Sequence, residues 1–225
     1  VYHDNQRRLW LLNLDSRKKR QIDIEDNPGD GGFGDFTWSS KGDLLAYRHG
    51  VAGVRGQLSL YDINNDRLER LTSAKYSSSA PSFSADDKWL YFLSERFFST
   101  SDSVWRDRMM GPSFRKRANI FALALEADAQ FPFTETDELI EAKQAAEKAK
   151  EKKAKEKKKK SKKKGKKEDK TTRVDWDGLT ERLYQVPVSN GDYSDLAVTD
   201  SHLFVLDDPG RGPGTLKTIE ITNEN

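Results

Sequence analysis

The sequence of this 225-residue chain predicts an all-β fold, a β-propeller of four-stranded antiparallel blades. Residues 38–47 read WSSKGDLLAY, and residues 83–92 read FSADDKWLYF. Each copy consists of an aromatic residue, a serine, a polar turn and a short apolar strand. The two copies are separated by about 45 residues, the length typical of one propeller blade.

A second element repeats alongside the first. Residues 9–15 (LWLLNLD) match residues 58–64 (LSLYDIN), and a polar turn and another strand follow each copy. Weaker copies of this element occur at residues 120–125, 183–188 and 216–221, and residues 202–206 resemble the apolar strand of the first repeat. Without a lysine-rich tract the chain has room for about four to five blades of 40–45 residues. We therefore expect an incomplete ring, with a chain that begins inside a strand-rich unit.

The lysine-rich tract at residues 141–170 divides the chain into three parts. It contains 16 lysines and six acids, a local net charge of +10 (16 − 6), so the rest of the chain carries −8 (2 − 10). Its composition favours helix, but it has no apolar stripe to bury, which predicts a disordered or partly helical loop. We place this loop between strands of adjacent blades, with propeller blades at residues 1–140 and 171–225.

Sixteen lysines could also bind nucleic acid electrostatically. The tract contains no aromatic residue that could stack on bases, and glutamates interrupt it. Because the remainder of the chain is acidic, we expect no nucleic-acid partner. The absence of cysteine excludes disulfides and thiolate chemistry, and no apolar run is long enough for a membrane span, so we expect no membrane partner.

Three further segments occur in an order that resembles the second, seven-bladed propeller of tricorn-type serine proteases. Residues 93–98 (LSERFF) are similar to the family pattern LSxRxF, and residues 131–133 (FPF) follow a long insertion and a strand. Residues 174–193 (VDWDGLTERLYQVPVSNGDY) are similar to the family segment IDxDGIxxRxxxxPVxxGxY. The chain departs from the family at Gln130, where serine is usual, and at Trp176, where an aliphatic residue is commoner.

The resemblance implies a non-catalytic part of a large modular peptidase of the cytoplasm, with a periplasmic location as the alternative. Such a protein has two propellers, a PDZ-like domain and a serine-protease core, and this propeller would gate or channel peptide substrates to that core. The resemblance also implies a homo-oligomer of the full-length protein. The alternative function is a stand-alone TolB-like propeller that binds a protein partner.

No catalytic, cofactor-binding or metal-binding residue is predicted on this chain, and no cofactor. The catalytic motifs of the family lie downstream of it, and no G-x-S-x-G nucleophile elbow occurs. We interpret His49 as a loop residue and residues 77–79 (SSS) as a solvated loop. The loop at residues 26–32 (DNPGDGG) lacks the closing glutamate of a calcium-binding EF-hand, so it is interpreted as a connection between blades.

Two further groups of residues have a structural and a functional interpretation. A basic cluster in the long insertion could bind peptide carboxylates, although a plain surface insertion is the preferred interpretation; its members are Arg106, Arg108, Arg115, Lys116 and Arg117. Four aromatic residues are predicted to lie in the core between blades and not to form a ligand platform. They are Trp10, Trp38, Phe83 and Trp89.

Overall fold

The computed structural model describes residues 1–25, 32–51, 55–96, 118–133, 171–208 and 213–221, and the backbone of residues 99–100 and 114–115. Within these residues the chain is all β, apart from one 3₁₀ turn at Leu179–Glu181. All paired strands are antiparallel. The predicted fold class is therefore confirmed.

Four sheets follow one another along the chain, and we call them blades I to IV. Blade I has the order β1 (Tyr2–His3), β2 (Arg8–Leu12), β3 (Lys19–Ile24). Blade II has the order β4 (Phe33–Trp38), β5 (Leu44–Val51), β6 (Arg55–Asp62), β7 (Arg67–Arg70). Blade III has the order β8 (Ser78–Phe83), β9 (Trp89–Ser94), β12 (Asn119–Ala124), β13 (Leu183–Gln185). Blade IV has the order β14 (Tyr193–Val198), β15 (His202–Asp207), β16 (Thr215–Glu220). A separate hairpin, β10 (Ser99–Thr100) and β11 (Phe114–Arg115), lies between β9 and β12 in the chain.

The blades stand side by side, with β8 of blade III in contact with both β4 of blade II and β14 of blade IV. These three strands are the first strands of their blades, so they lie nearest the axis of the propeller. In blade I, β2 is the sequence equivalent of β6, so its three strands correspond to the second, third and fourth strands of blade II. The ring is open, as the incomplete repeat predicts.

Alternation along each strand produces the core, because successive side chains point to opposite faces of a sheet. In β5, Leu44 and Ala46 face blade III, whereas Leu45 and Tyr47 face blade I. The same division holds in blade III. Its side chains facing blade II are Phe83, Leu90, Phe92, Phe121 and Leu123, and those facing blade IV are Trp89, Tyr91, Leu93, Ile120 and Ala122. Each blade thus covers the apolar face of its neighbour.

The repeated polar turn has the same geometry in blades II and III. Ser39 N–H donates to the Leu44 carbonyl (3.1 Å), and Ser84 N–H donates to the Trp89 carbonyl (2.8 Å). Each turn contains a residue with positive φ, Gly42 (+71°) in one and Asp87 (+57°) in the other. The left-handed conformation favours glycine or an Asx residue, which explains why the two sequences differ at this position without changing the turn.

The structure corrects the position predicted for the lysine-rich tract. The strand before the tract, β12, pairs directly with the strand after it, β13, through Phe121 and Gln185. The tract therefore separates the third and fourth strands of one blade and not strands of adjacent blades. The apolar run at residues 183–188 resembles a third strand in sequence, but here it supplies the outermost one. The tract itself lies outside the described residues.

Candidate functional site

The seam between blades I and II is closed by a buried charged network around Asp23 on β3. The Asp23 carboxylate accepts two hydrogen bonds from the Arg70 guanidinium, Nη1 to Oδ2 (2.7 Å) and Nη2 to Oδ1 (2.8 Å). Tyr47 Oη donates to Oδ2 at 2.6 Å, and His49 Nδ1 lies 3.2 Å from the same atom. Asp23 is 8% exposed, so this carboxylate meets protein donors instead of water.

The network fixes the charge state of Asp23 and Tyr47. Burial raises the pKa of Asp23, but hydrogen bonds from His49, Arg70 and Tyr47 outweigh it, and the pKa lies well below its usual range. Burial and the adjacent Asp23 charge raise the pKa of the Tyr47 hydroxyl. Asp23 is thus held as an anion and Tyr47 as a neutral donor, which makes the cluster a structural clamp between two blades.

His49 was predicted to lie in a loop, and the structure shows this to be wrong. The residue lies within β5, is 7% exposed and meets the Phe33 ring edge-on at 5.3 Å. Of the other histidines, His3 is exposed on β1, and His202 begins β15 with its Nδ1 2.8 Å from the hydroxyl of Ser201. Among the described residues, these contacts bring no histidine into a Ser-His-Asp arrangement.

The family-like segment at residues 174–182 seals the next seam, between blades II and III. Trp176 packs against the apolar core of this seam, and the Arg67 guanidinium of β7 lies over its ring at 4.4 Å. Arg182 donates to the carbonyls of Asp177 (2.7 Å), Ala124 (3.2 Å) and Asp175. The segment is therefore a strap that joins blade III to the outermost strand of blade II.

The chain just before the strap is hydrogen-bonded to the repeated turns. Thr172 donates from its backbone N–H and its hydroxyl to the Asp43 carboxylate (2.5 and 2.7 Å). Asp87 accepts the backbone N–H of Ser40 at 2.9 Å, which joins the turn of blade II to that of blade III. Burial raises the pKa of Asp43, but the hydrogen bonds from Thr172 and Ser39 lower the pKa by more, so the net shift is downward.

The opposite end of the same seam contains an ion pair next to the axis. Arg48 Nε lies 3.3 Å from Asp35 Oδ2, and the same oxygen accepts the backbone N–H of Ala80 at 3.0 Å. Asp35 and Ala80 both have positive φ, +52° and +49°, and each lies at an irregularity in the pairing of a first strand. The first strands of blades II and III thus have bulges at equivalent positions. At these bulges the Asp35 side chain joins β4 to β8.

Two glycines make room for the Arg48 side chain. A Cβ on Gly34 would lie 2.8 Å from Arg48 Nη2, and one on Gly56 would lie 2.6 Å from Arg48 Cδ. Both positions therefore require glycine for the guanidinium to occupy this place. Sequence reasoning missed Asp23 and Asp35, because their contacts reach a neighbouring blade. It also missed Arg48, whose contacts join different strands of blade II, although glycines inside strand patterns were an available signal.

Two of the four predicted core aromatics are confirmed. Phe83 is 7% exposed in seam II–III, and Trp89 is 4% exposed in seam III–IV. Trp38 is the equivalent of Phe83 in blade II, and it is 40% exposed. Among the described residues, blade I has no first strand that could cover it. Trp10 is half-buried on the outer side of blade I, where its Nε1 donates to Asp4 (2.9 Å).

The segment at residues 77–79 is also corrected. Ser78 begins β8, is 1% exposed and donates from its hydroxyl to the Ser94 hydroxyl (3.2 Å), so this stretch is not a solvated loop. Pro81 is accommodated in the same strand because β8 is an edge strand, where a missing N–H costs no ladder bond.

Other predicted features fall where little or nothing is described. Residues 26–31 of the glycine-rich loop lie outside the described residues, as do Arg106, Arg108, Lys116 and Arg117; Arg115 is described only as part of β11. In the part of the chain that is described, no group of three or more His, Cys, Asp or Glu side chains could hold a metal ion. No helix among the described residues is both long and apolar enough to cross a membrane.

Comparison with known proteins identifies the family. The family model of the tricorn protease second β-propeller domain matches residues 1–221. The chain belongs to this family. It is 26% identical over 210 residues to tricorn protease homolog 1 of Streptomyces coelicolor, covering 93% of this chain and 18% of that relative.

The solved structure of a tricorn protease agrees with this fold. The chain is similar to the crystal structure of the tricorn protease with a TM-score of 0.70 and 19% identity, over 97% of this chain and 20% of that one. Similarity to TolB from Acinetobacter baumannii is weaker, with a TM-score of 0.45 and 11% identity over 94% of this chain and 35% of that chain. The tricorn-family chain spans about a fifth of the length of its tricorn relatives.

Proposed function

We propose that this propeller is a non-catalytic part of a tricorn-like serine peptidase and channels peptide substrates to a protease core elsewhere in the longer protein. The observation that carries the proposal is the axial edge, by which we mean the free edges of β4, β8 and β14. Small or polar residues predominate on this edge. Its half-buried and exposed members include Asp35, Ser79, Ser82, Ser194, Asp195 and Ala197.

Such an edge suits the passage of an extended chain. Its unpaired backbone groups can form transient hydrogen bonds with a peptide of any sequence. The network at Asp23 and the strap at residues 174–182 hold the blades in place around the axis. Together these features supply a rigid wall.

The first experiment separates channel from catalyst. The purified 225-residue chain is expected to hydrolyse no fluorogenic peptide, whereas the longer protein that contains it hydrolyses such peptides. Hydrolysis by the isolated chain, or none by the longer protein, contradicts the proposal.

The second experiment obstructs the axial edge. Because the chain has no cysteine, Ala197→Cys on β14 can be labelled with a bulky maleimide after folding, in an otherwise cysteine-free version of the longer protein. The label should lower kcat/KM for peptides by about tenfold or more. The matched control is Lys19→Cys on β3, the outermost strand of blade I, where the same label should change kcat/KM by less than about twofold. Equal effects of the two labels would exclude the axial route.

The proposal includes two properties carried by the family alone: location in the cytoplasm and assembly of the full-length protein into a homo-oligomer. Light scattering on the longer protein tests the assembly, and fractionation of the producing cells tests the location. A monomer, or recovery in the periplasmic fraction, would contradict the respective part.

A further inference from the structure

Two arginines at one end of seam II–III have donor groups without an acceptor. Arg48 uses Nε for Asp35, and no described acceptor lies on its terminal Nη atoms. Arg96 follows β9, and its Nε is buried with no hydrogen-bond partner. The Arg96 guanidinium lies near the rings of Phe121 (5.7 Å) and Tyr76 (6.0 Å), contacts that orient it without supplying an acceptor.

The two arginines lie on either side of the start of β8. On one side, Gly56 lies under the Arg48 side chain, and its N–H donates to the Ser77 hydroxyl at 3.2 Å. On the other side, the backbone N–H of Glu95, the residue before Arg96, donates to the Ser77 carbonyl at 2.9 Å. Hydrogen bonds from Gly56, against which the Arg48 side chain packs, and from Glu95, next to Arg96, thus converge on Ser77.

A buried guanidinium donor without an acceptor is costly, and such a group in a folded protein calls for a ligand or another explanation. A carboxylate is the acceptor whose planar geometry matches a guanidinium, with two parallel N–H to oxygen bonds. The glycines at positions 34 and 56 leave the space that the Arg48 side chain occupies, and Asp35 holds its Nε. A side chain that is already held loses less entropy when it binds a ligand.

We propose that Arg48 and Arg96 form a binding site for a carboxylate carried by an extended peptide. The site lies beside the axial edge, since Asp35 on β4 and Ser77 before β8 both touch it. The choice of a peptide as the ligand rests on the proposed function. The site would add to that function by making the channel selective for peptides that bear a carboxylate. The carboxylate is that of an acidic side chain or of the peptide C-terminus.

Binding can be measured on the 225-residue chain by following the side-chain Nε–Hε signals of its arginines with NMR. Three probes distinguish the sources of the carboxylate: acetyl-AAEAA-amide carries only a side-chain carboxylate, acetyl-AAQAA with a free C-terminus carries only a terminal one, and acetyl-AAQAA-amide carries neither. The Arg48 and Arg96 signals should move with at least one of the two acidic probes and not with the neutral probe. If inorganic phosphate moves them at lower concentration than both acidic peptides, the site is not one for peptide carboxylates.

Variants assign the effect to the two arginines. Arg48→Met and Arg96→Met should each weaken binding of the acidic probe by about tenfold or more, and Arg96→Lys should weaken it less because the charge remains. The control is Arg55→Met on β6, whose Nη1 already donates to the Lys75 carbonyl (3.3 Å); it should bind the acidic probe as the unaltered chain does. Circular dichroism identifies a variant that fails to fold, and for that position Arg→Lys takes its place.

The inference is overturned if neither acidic probe binds, or if binding persists undiminished in both methionine variants. This result differs from failure of the proposed function, which is measured as peptide cleavage by the longer protein. Cleavage that depends on the axial edge but ignores peptide charge would leave the channel in place and remove the carboxylate site.

Discussion

Seams I–II and II–III join equivalent blade faces by different means. Seam I–II has a small apolar core and a buried charged network in which Asp23 meets Arg70, Tyr47 and His49. Seam II–III has a larger apolar core and is covered by the strap at residues 174–182. Burying apolar surface is stabilising without regard to direction, whereas a charged network is satisfied in one geometry only. We infer that the first seam fixes the angle between its blades and the second contributes more stability.

The largest effect is expected from the apolar seam. Phe92 is fully buried and stacks on Phe121 with ring centroids 5.9 Å apart. Phe92→Ala should lower the free energy of unfolding by about 3–5 kcal/mol, because it removes buried surface and leaves a cavity. Urea unfolding measures this change. Phe36→Ala is the matched control, since Phe36 is 37% exposed; an equal loss in both variants would contradict the comparison.

The charged seam should respond to loss of its central carboxylate. Asp23→Asn removes the charge that pairs with Arg70, and breaking a buried pair is costly because the remaining ion has no partner. We expect a loss of about 2–4 kcal/mol, below the full cost of a buried pair because the Arg70 side chain is about a third exposed. The control is Asp4→Asn, which breaks the pair with Arg8 (2.7 Å) and should cost less, because the Asp4 side chain is 21% exposed against 5% for Asp23. Should Asp4→Asn prove the more costly, the network would not hold seam I–II together.

The same network predicts a dependence on pH. The pKa of Asp23 is lowered by folding, so its contribution to stability is complete above the pKa of about 4 that an unfolded aspartate has. It is lost as the pH falls from there toward the lower pKa of the folded state. The difference in unfolding free energy between the unaltered chain and Asp23→Asn should therefore shrink as the pH falls below about 4. A difference that grows on acidification would reverse the assigned sign.

Sequence reasoning could predict those features of the two seams that depend on residues close together in the chain. The alternation in residues 44–47 and the turn at residues 39–43 repeat in blade III, and both are visible within a few residues. The pairing of Asp23 with Arg70 and of Thr172 with Asp43 joins residues far apart in the chain, and nothing local marks them. The lysine-rich tract was misplaced for the same reason, because only the pairing of β12 with β13 shows which blade the chain rejoins.

Position 38 shows the limit of a repeat argument. Trp38 and Phe83 occupy equivalent sites, yet Phe83 is buried against the apolar residues of blade II, such as Leu44 and Leu58, and Trp38 is 40% exposed. A repeat thus predicts the direction of a side chain, whereas its burial is a property of the neighbour. The strap differs again: its sequence was recognised as a family motif, but its role became clear only from the contacts of Trp176 and Arg182.

The smallest expected effect tests whether the strap is a separate contribution to seam II–III. Trp176→Leu keeps an apolar side chain in the core but removes the ring beneath Arg67, and a cation–π contact of this kind contributes about 0.5–1 kcal/mol. Arg67→Met should cost a similar amount, and the double variant should cost less than the sum of the two, because each single change already removes the same contact. Urea unfolding of the four proteins gives the coupling energy. Strict additivity would mean that the guanidinium and the indole are merely neighbours, and that the strap stabilises the seam through the apolar contacts of Trp176 and Leu179 alone.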